Sequence, residues 1–298
     1  MSGQSQGAQS KMAYDASTFD TSSEPNHFIR ENLRATYTHI DDGAQAIRGS
    51  RSHIEERDSD GLIHVRGSIV QNIVPDELDL ILPRIMGTAE SNDVFALAET
   101  VPYFNIMIDR VAKVHTYTNC KIDKAVFRGT KGQPIQLESQ IVGQSESEGA
   151  AASFPSLTFS VMQPYVFNEG VLVLGGVTHL FDQFVCVIDN HAEVEHNNSR
   201  TATDIVTADR TIALALSTPY TSTETGLFTT PVGSIAGIAA TLKFTKGEQS
   251  LLFTFGNIKS LARTPTVPGK RQIRLPLQYK AFKTGVTDEL VITHDSTA

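Results

Sequence analysis

Two charged segments hold the residue types that acid–base or metal chemistry would need. The first, RSHIEERDSDG, runs from Arg51 to Gly61 and contains one histidine, four carboxylates and two arginines. Acid–base catalysis needs such groups in a cleft, because desolvation and a neighbouring charge are what shift a pKa. Here every charge lies in a hydrophilic loop or on the polar face of the following strand. The pattern is typical of a solvated or inter-subunit surface.

The second segment, HAEVEH (His191–His196), could supply metal ligands. Its spacing differs from the HExxH pattern of zinc sites, and the preceding CVIDN is strand-like. In an extended chain, side chains alternate between two faces, so positions five apart point to opposite sides. The pattern therefore favours an exposed turn.

The sequence contains no recognisable catalytic or phosphate-binding motif. GSIAG (Gly233–Gly237) misplaces the serine of a GxSxG elbow, and neither GxxxxGK[ST] nor GxGxxG occurs. Cys120 and Cys186 lie in strand-like surroundings, and we expect them to be buried free thiols. We therefore predict no enzymatic activity, no cofactor and no metal.

Composition restricts the class of protein further. The 298 residues carry a net charge of −8 and are 40% hydrophobic, which suits a folded core but not a surface that grips nucleic-acid phosphates. The start lacks the apolar segment of a signal peptide, and no apolar run is long enough to cross a membrane. We expect an intracellular chain in which residues 1–27 form a flexible N-terminal arm.

Strands must position most of these residues. Alternating apolar residues predict a half-buried strand over Gly61–Val70, directly after the first charged segment. PDELDLILPRIMG (Pro75–Gly87) predicts a helix, with Gly87 as its C-cap, that Pro83 kinks or ends early. Gln144–Ser153 has the composition of a surface loop. Further strands are predicted at Tyr103–Asp109, Ala112–Asn119, Ile122–Phe127, Ile135–Val142, Thr158–Gln163, Gly170–Leu174, Gln183–Ile188, Thr211–Ser217, Thr241–Thr245, Ser250–Phe255, Gln272–Tyr279 and Leu290–Thr293. The result is a mainly β fold, an antiparallel sandwich or open barrel with one or two short helices.

Two sequence matches in the same order indicate an internal repeat. Ser50-Arg51 and the strand LIHVRGS recur 149 positions later as Ser199-Arg200 and TIALALS. Thr118–Lys121 recurs 138 positions later as Gly256–Lys259. Matches that keep their order along the chain suggest a duplicated unit.

The repeat predicts two β domains, at residues 28–152 and 153–298. The acids and histidines of the first charged segment do not recur in the second copy, although the loop and strand do. The helix at Pro75–Gly87 has no counterpart near Thr223–Gly233, so the second copy departs from the first there.

Three stretches resemble the tail tube proteins of long-tailed bacteriophages. They are IRGSRSHIEERDSDGLIHVRGSI (Ile47–Ile69), VPDELDLILPRIMG (Val74–Gly87) and CVIDNHAEVEHNNSRTATDI (Cys186–Ile205). In that family a Gly–Ser/Thr–Arg loop precedes a strand, and a Pro–x–Glu–Leu–Asp helix ending in glycine follows it. The resemblance covers about residues 29–295.

The resemblance implies a structural protein of the virion tail, assembled in the host bacterial cytoplasm. The implied fold is a β-sandwich or open barrel of the tail tube type, flanked by a helix. Subunits would join into rings, and the rings would stack into a conduit through which DNA passes without specific binding. A duplicated chain implies trimeric rings with pseudo-sixfold symmetry, and hexameric rings stay open as the alternative.

The implied partners are further copies of the chain and other tail proteins, namely the tape measure, terminator and baseplate proteins, with no membrane. The first charged segment then becomes a predicted subunit interface. Its residues are Arg51, Glu55, Glu56, Arg57 and Asp58. Charged loops suit ring-to-ring contact, because electrostatic complementarity fixes register more than it adds affinity.

Two other classes of function stay open. The chain could be another β-rich tail component, such as a tail terminator, a neck or baseplate ring, or a decoration protein. It could also be a small-molecule-binding β domain or a hydrolase with an unrecognised site. A terminator forms one ring and stops, whereas a tube subunit polymerises.

Overall fold

The computed structural model describes residues 6–41, 51–53, 55–223, 237–260, 267, 269–270 and 272–296. Within these residues the fold is mainly β, every strand pair is antiparallel and there is one α-helix, α1 (Pro75–Met86), which confirms the predicted fold class. The strands are β1 (Lys11–Asp15), β2 (Glu24–Asn26), β3 (Arg30–Glu31), β4 (Arg34–Asp41), β5 (Asp58–Asn72), β6 (Val94–Phe95), β7 (Phe104–Asp109), β8 (Lys113–Thr130), β9 (Gln136–Gly143), β10 (Ser145–Ala150), β11 (Gly170–Leu174), β12 (Val177–His179), β13 (Gln183–Asp189), β14 (Ala192–Glu195), β15 (Asp204–Thr207), β16 (Thr211–Pro219), β17 (Ile238–Lys246), β18 (Gln249–Ser260), β19 (Arg274–Ala281) and β20 (Val291–Asp295).

Helix α1 begins and ends where the sequence predicts. Pro75 lies in the first turn, where its missing N–H is not needed, and Gly87 caps the helix in the left-handed conformation (φ 93°). The helix does not end early at Pro83. The Gly87 N–H still donates to the Pro83 carbonyl (2.9 Å), and packing of the apolar stripe holds the last turn. That fully buried stripe is Leu78, Ile81, Leu82 and Ile85.

One antiparallel sheet runs through both halves of the chain. Its strand order is β4–β5–β9–β8–β13–β16–β19–β18. The first four strands come from the first half, the last four from the second. β8 joins β13 from Lys124↔Asp189 to Gln183↔Thr130. The predicted boundary between residues 152 and 153 therefore falls between strands of one sheet, and the division into two domains stays a prediction.

Each half adds a second set of strands to this sheet, which gives the β-sandwich. β8 belongs to both layers, because its N-terminal part pairs with β7 and β10 and its C-terminal part with β9 and β13. The sequence predicted two strands here. They are one strand whose partners change near Asn119, a residue with a positive φ of 50°.

The pairing pattern of the first half recurs in the second. β4, β5, β7, β8 and β9 pair with one another as β13, β16, β17, β18 and β19 do. A register irregularity between Phe104 and Ile106 has its counterpart between Ile238 and Ala240. The shift of 138 positions also carries one ladder contact onto another, Lys121↔Val142 onto Lys259↔Lys280. This recurrence supports the proposed duplication. The sequence predicts no second helix near Thr223–Gly233. From position 224 onward, that segment lies outside the described residues.

Three further local predictions were wrong, because the presence or absence of a distant pairing partner decided them. Part of the predicted flexible arm is β1, which lies between β7 and β2 with Met12, Ala13 and Tyr14 fully buried. The predicted loop Gln144–Ser153 contains β10, whose polar residues pair along β8. Thr158–Gln163 is not a strand, because nothing in the described residues pairs with it.

We expect removal of residues 1–15 to destabilise the fold, because β7 loses a partner and the surface beneath Met12 and Tyr14 becomes open to water. Two large buried side chains predict a loss of about 3–5 kcal/mol in the free energy of unfolding, measured by urea denaturation. Removal of residues 1–9 is the control, since residues 6–9 are exposed. Equal urea midpoints for the two truncations would contradict a structural role for β1.

Candidate assembly surfaces

The first charged segment lies at the tip of an exposed two-stranded ribbon. We define the ribbon as residues 36–41 of β4 and 58–63 of β5, which pair with each other and of which only Gly61 is buried. Tyr37 and Ile40 are 61% and 62% exposed. A two-stranded ribbon is marginally stable alone in water, and exposed apolar side chains on it indicate a contact surface.

The five predicted interface residues all lie at this tip, and all are exposed. Glu55, Glu56 and Arg57 form a single helical turn, and Asp58 begins β5. The Asp58 carboxylate accepts from the Nδ1 of His39 at 3.0 Å. Residues 42–50 and 54 lie outside the described residues. The contact of this tip with another subunit stays a prediction.

A hairpin from the second half covers one edge of the ribbon. β14 and β15 pair with each other, and the loop between them carries Arg200. The Ile63 N–H donates to the Arg200 carbonyl (2.8 Å), and the Arg200 Nε donates to the Gly61 carbonyl (3.2 Å). Arg200 Nη1 also lies 2.9 Å from the Asp60 carboxylate. The second half therefore holds the ribbon of the first half in place.

The hairpin reaches the ribbon by crossing over β8 and β9. The Lys121 ammonium donates to the Ile205 carbonyl (2.7 Å) and lies 4.3 Å from the centre of the Tyr103 ring. Val142 of β9 and Ala192 of β14 pack with the fully buried Ile205. Burial lowers the pKa of Lys121, whereas the Tyr103 hydroxyl lowers the pKa of Asp204 by donating to it. The hairpin is thus anchored at its base as well as at its tip.

HAEVEH is part of the contact between hairpin and ribbon. His196 Nε2 lies 3.0 Å from the Ile63 carbonyl, and its ring meets the His64 ring edge-on with centroids 4.8 Å apart. Burial, then the positive charges of His196 and Arg66, lower the pKa of His64. His191 lies beyond the other end of β14. The described residues hold no group of three or more side chains that could ligate a metal. Sequence reasoning missed the role of His196, although the repeat had already aligned this loop with the ribbon tip.

A family model described as phage tail tube protein matches residues 7–281 of the 298-residue chain. The chain belongs to the phage tail tube proteins. No curated protein matches it. Membership makes the chain a structural protein of the virion tail, in a family that assembles with itself and with other tail components. The resemblance seen in the sequence is confirmed.

The protein also has an open polar pocket beside the start of β16, with a volume of about 270 Å³. Four carboxylates and two cations line it: Glu99, Asp209, Asp288, Glu289, Arg210 and Lys283. Lys283 Nζ lies 3.0 Å from Asp288, and Arg210 donates to the side chain of Asn190 (3.1 Å). Burial raises the pKa of Glu289, the charges of Arg210 and Lys283 oppose that rise, and those of Asp209 and Asp288 add to it. The lining therefore carries two more acidic than basic side chains.

Two further features of the tail tube subunit bear on its surfaces. Cys120 and Cys186 are fully buried free thiols, as predicted, and burial raises the pKa of Cys186 to about 12. Thiols of this kind react poorly, because the thiolate is the nucleophile. No helix among the described residues is both long and apolar enough to cross a bilayer.

We expect Arg200→Ala to loosen the ribbon without unfolding the subunit. The substitution removes the side-chain contacts to Gly61 and Asp60, so amide hydrogen exchange should become faster in residues 58–63. The ion pair is exposed, so the free energy of unfolding should change by less than about 1 kcal/mol. Arg30→Ala, on an exposed side chain that does not touch the ribbon, serves as control. Unchanged exchange in 58–63 would show that the Arg200 side chain does not hold the ribbon.

Proposed function

We propose that the protein polymerises into stacked rings that form the tail tube, the conduit for genome ejection. The observation that carries this proposal is the eight-stranded sheet with β4 at one end and β18 at the other. β4 has no ladder partner other than β5 among the described residues. A free edge is an aggregation liability unless another strand pairs with it, and a ring of copies provides that strand at every edge.

Ring size follows from the strand number. Three copies of an eight-stranded sheet joined edge to edge close a barrel of 24 strands. With strands about 4.8 Å apart and tilted by about 40°, its backbone diameter is about 48 Å, which admits a DNA duplex. Six copies would double that diameter. We therefore favour a trimer, in which two equivalent halves per chain give pseudo-sixfold symmetry.

The charge of the chain fits a conduit. A net charge of −8 repels DNA phosphates, so a genome can move past the wall without binding to it. The exposed ribbon tips, with Glu55 and Glu56, then meet the neighbouring ring, where complementary charges fix register. The tape measure, terminator and baseplate proteins are the proposed partners inside and at the ends of the tube, which assembles in the host cytoplasm.

Electron microscopy of the purified protein tests this proposal. We expect long hollow tubes with an axial repeat and three chains per ring. Isolated rings that do not stack would instead indicate a terminator or neck protein. Stable monomers at high concentration would overturn the proposal, and six chains per ring would contradict the duplicated trimer.

We expect Glu55→Lys combined with Glu56→Lys to impair stacking while each subunit stays folded. Both side chains are exposed at the ribbon tip, so reversing their charge alters the contact and not the core. Tube length by microscopy and folding by circular dichroism measure the two effects. Glu248→Lys, in the exposed turn between β17 and β18, is the control. Tubes of wild-type length from the double variant would contradict a role for the tip in stacking.

A further inference from the structure

The contact between hairpin and ribbon provides a template for a contact between two copies. In one chain, the hairpin of the second half (β14, β15 and the loop between them) crosses β8 and β9, and its loop ends on β5 of the first half. Its decisive residue is Arg200, which meets Asp60 and the carbonyl of Gly61. If the two halves alternate around a ring, the tip of the first half must meet the second half of the next copy in the same way.

The repeat identifies the residues of that second contact. The shift of 149 positions that pairs Ser50-Arg51 with Ser199-Arg200 also carries Asp60 onto Asp209, so the expectation that no acid of the first charged segment recurs was wrong for this residue. On the β5 side the same shift carries Ile63 onto Ile212, and their ladder partners Tyr37 and Ile188 lie 151 positions apart, so the two ladders agree to within two residues. Arg51 is therefore the counterpart of Arg200, and Asp209 is the counterpart of Asp60.

Arg51 and Asp209 are both exposed to solvent. Within the described residues, neither Arg51 nor Asp209 has a hydrogen-bonded or ion-paired partner, although the equivalent residues pair with each other. Four strand spacings, about 19 Å, separate β5 from β16 in the sheet of one chain. The hairpin runs from β13 back across β8 and β9 to β5, and the same course from β4 leads past the end of the chain's own sheet. The partner for Arg51 then lies on another copy.

We propose that Arg51 of one subunit forms an ion pair with Asp209 of the next subunit in the ring, inside the acidic pocket beside β16, while Glu55 and Glu56 of the same tip stay the residues that meet the neighbouring ring. This proposal rests on the ring described under the proposed function and names the contact that sets its geometry.

The carboxylates of the pocket can accept hydrogen bonds from a guanidinium group. The two resident cations of the pocket are already engaged, Lys283 by Asp288 and Arg210 by Asn190. The lining still holds four carboxylates against these two cations, and Asp209 is the exposed member of the four that the repeat places opposite Arg51. Arginine fits this place better than lysine, because its planar fork donates to a carboxylate and a carbonyl at once, as Arg200 does.

The ion pair should fix the register of neighbouring copies more than it strengthens their association. Exposed ion pairs add little to affinity, so Arg51→Asp or Asp209→Arg alone should raise the concentration needed for assembly about two- to five-fold. The variant with both substitutions restores opposite charges across the contact and should return that concentration toward the wild-type value. Additive losses in the double variant would count against the pairing.

Chemical cross-linking of the full chain gives the direct test. Arg51→Cys with Asp209→Cys places one thiol on each side of the contact, and a short bismaleimide should join them between copies. Denaturing gels should show linked chains, ending at a closed trimer. Asp60→Cys with Arg200→Cys is the matched control, in which the same reagent should close a loop within one chain. Cys120 and Cys186 give little background, because both are buried.

The outcomes separate the inference from the proposed function. Rings that form normally but yield only single chains from Arg51→Cys with Asp209→Cys, while the control closes, overturn the Arg51–Asp209 contact and leave the ring intact. Absence of any ring from the unmodified protein overturns the proposed function itself. Linked dimers that never extend to a trimer would also contradict the contact, because every copy in a ring presents both residues.

Discussion

The pairing of β8 with β13 is the interaction on which the rest of the structure depends. Backbone N–H and C=O groups must find partners, and an unpaired strand edge leaves a whole row of them exposed. In the sheet, β8 is the last of the four strands from the first half, and it pairs with β13, the first of the four from the second half, from Lys124↔Asp189 to Gln183↔Thr130. Two separate sheets thereby become one, and the unpaired edge moves to the end of the chain's own sheet.

The same junction explains how the layers and the hairpin are tied together. β8 pairs with β7 and β10 near its start and with β9 and β13 near its end, so the two layers of the sandwich share one strand. Lys121 on β8 also holds the hairpin through the Ile205 carbonyl. The hairpin in turn positions the ribbon through Arg200. A single strand thus connects the buried core to the surface that we propose to meet other subunits.

The acidic side chains beside β16 fit this joining of the two halves into one sheet. The acids that gather beside β16 lie where the proposed contact places Arg51 of another copy. Exposed ion pairs are weak individually, which suits them to setting geometry between copies. Backbone pairing and apolar contact then supply the affinity.

The sequence by itself determined the mainly β class, the helix at Pro75–Gly87, the buried cysteines, the family and the exposed charged tip. The family follows from the resemblance of three stretches, and each of the other features follows from local periodicity, capping residues or composition, which act over a few positions. Tertiary structure alone decided that Met12 and Tyr14 belong to a strand, that SESEGA at Ser145–Ala150 pairs along β8, and that His196 contacts Ile63. These features depend on partners far away in the chain. A pattern read along the sequence does not contain the identity of those partners, and only the folded sheet brings them together.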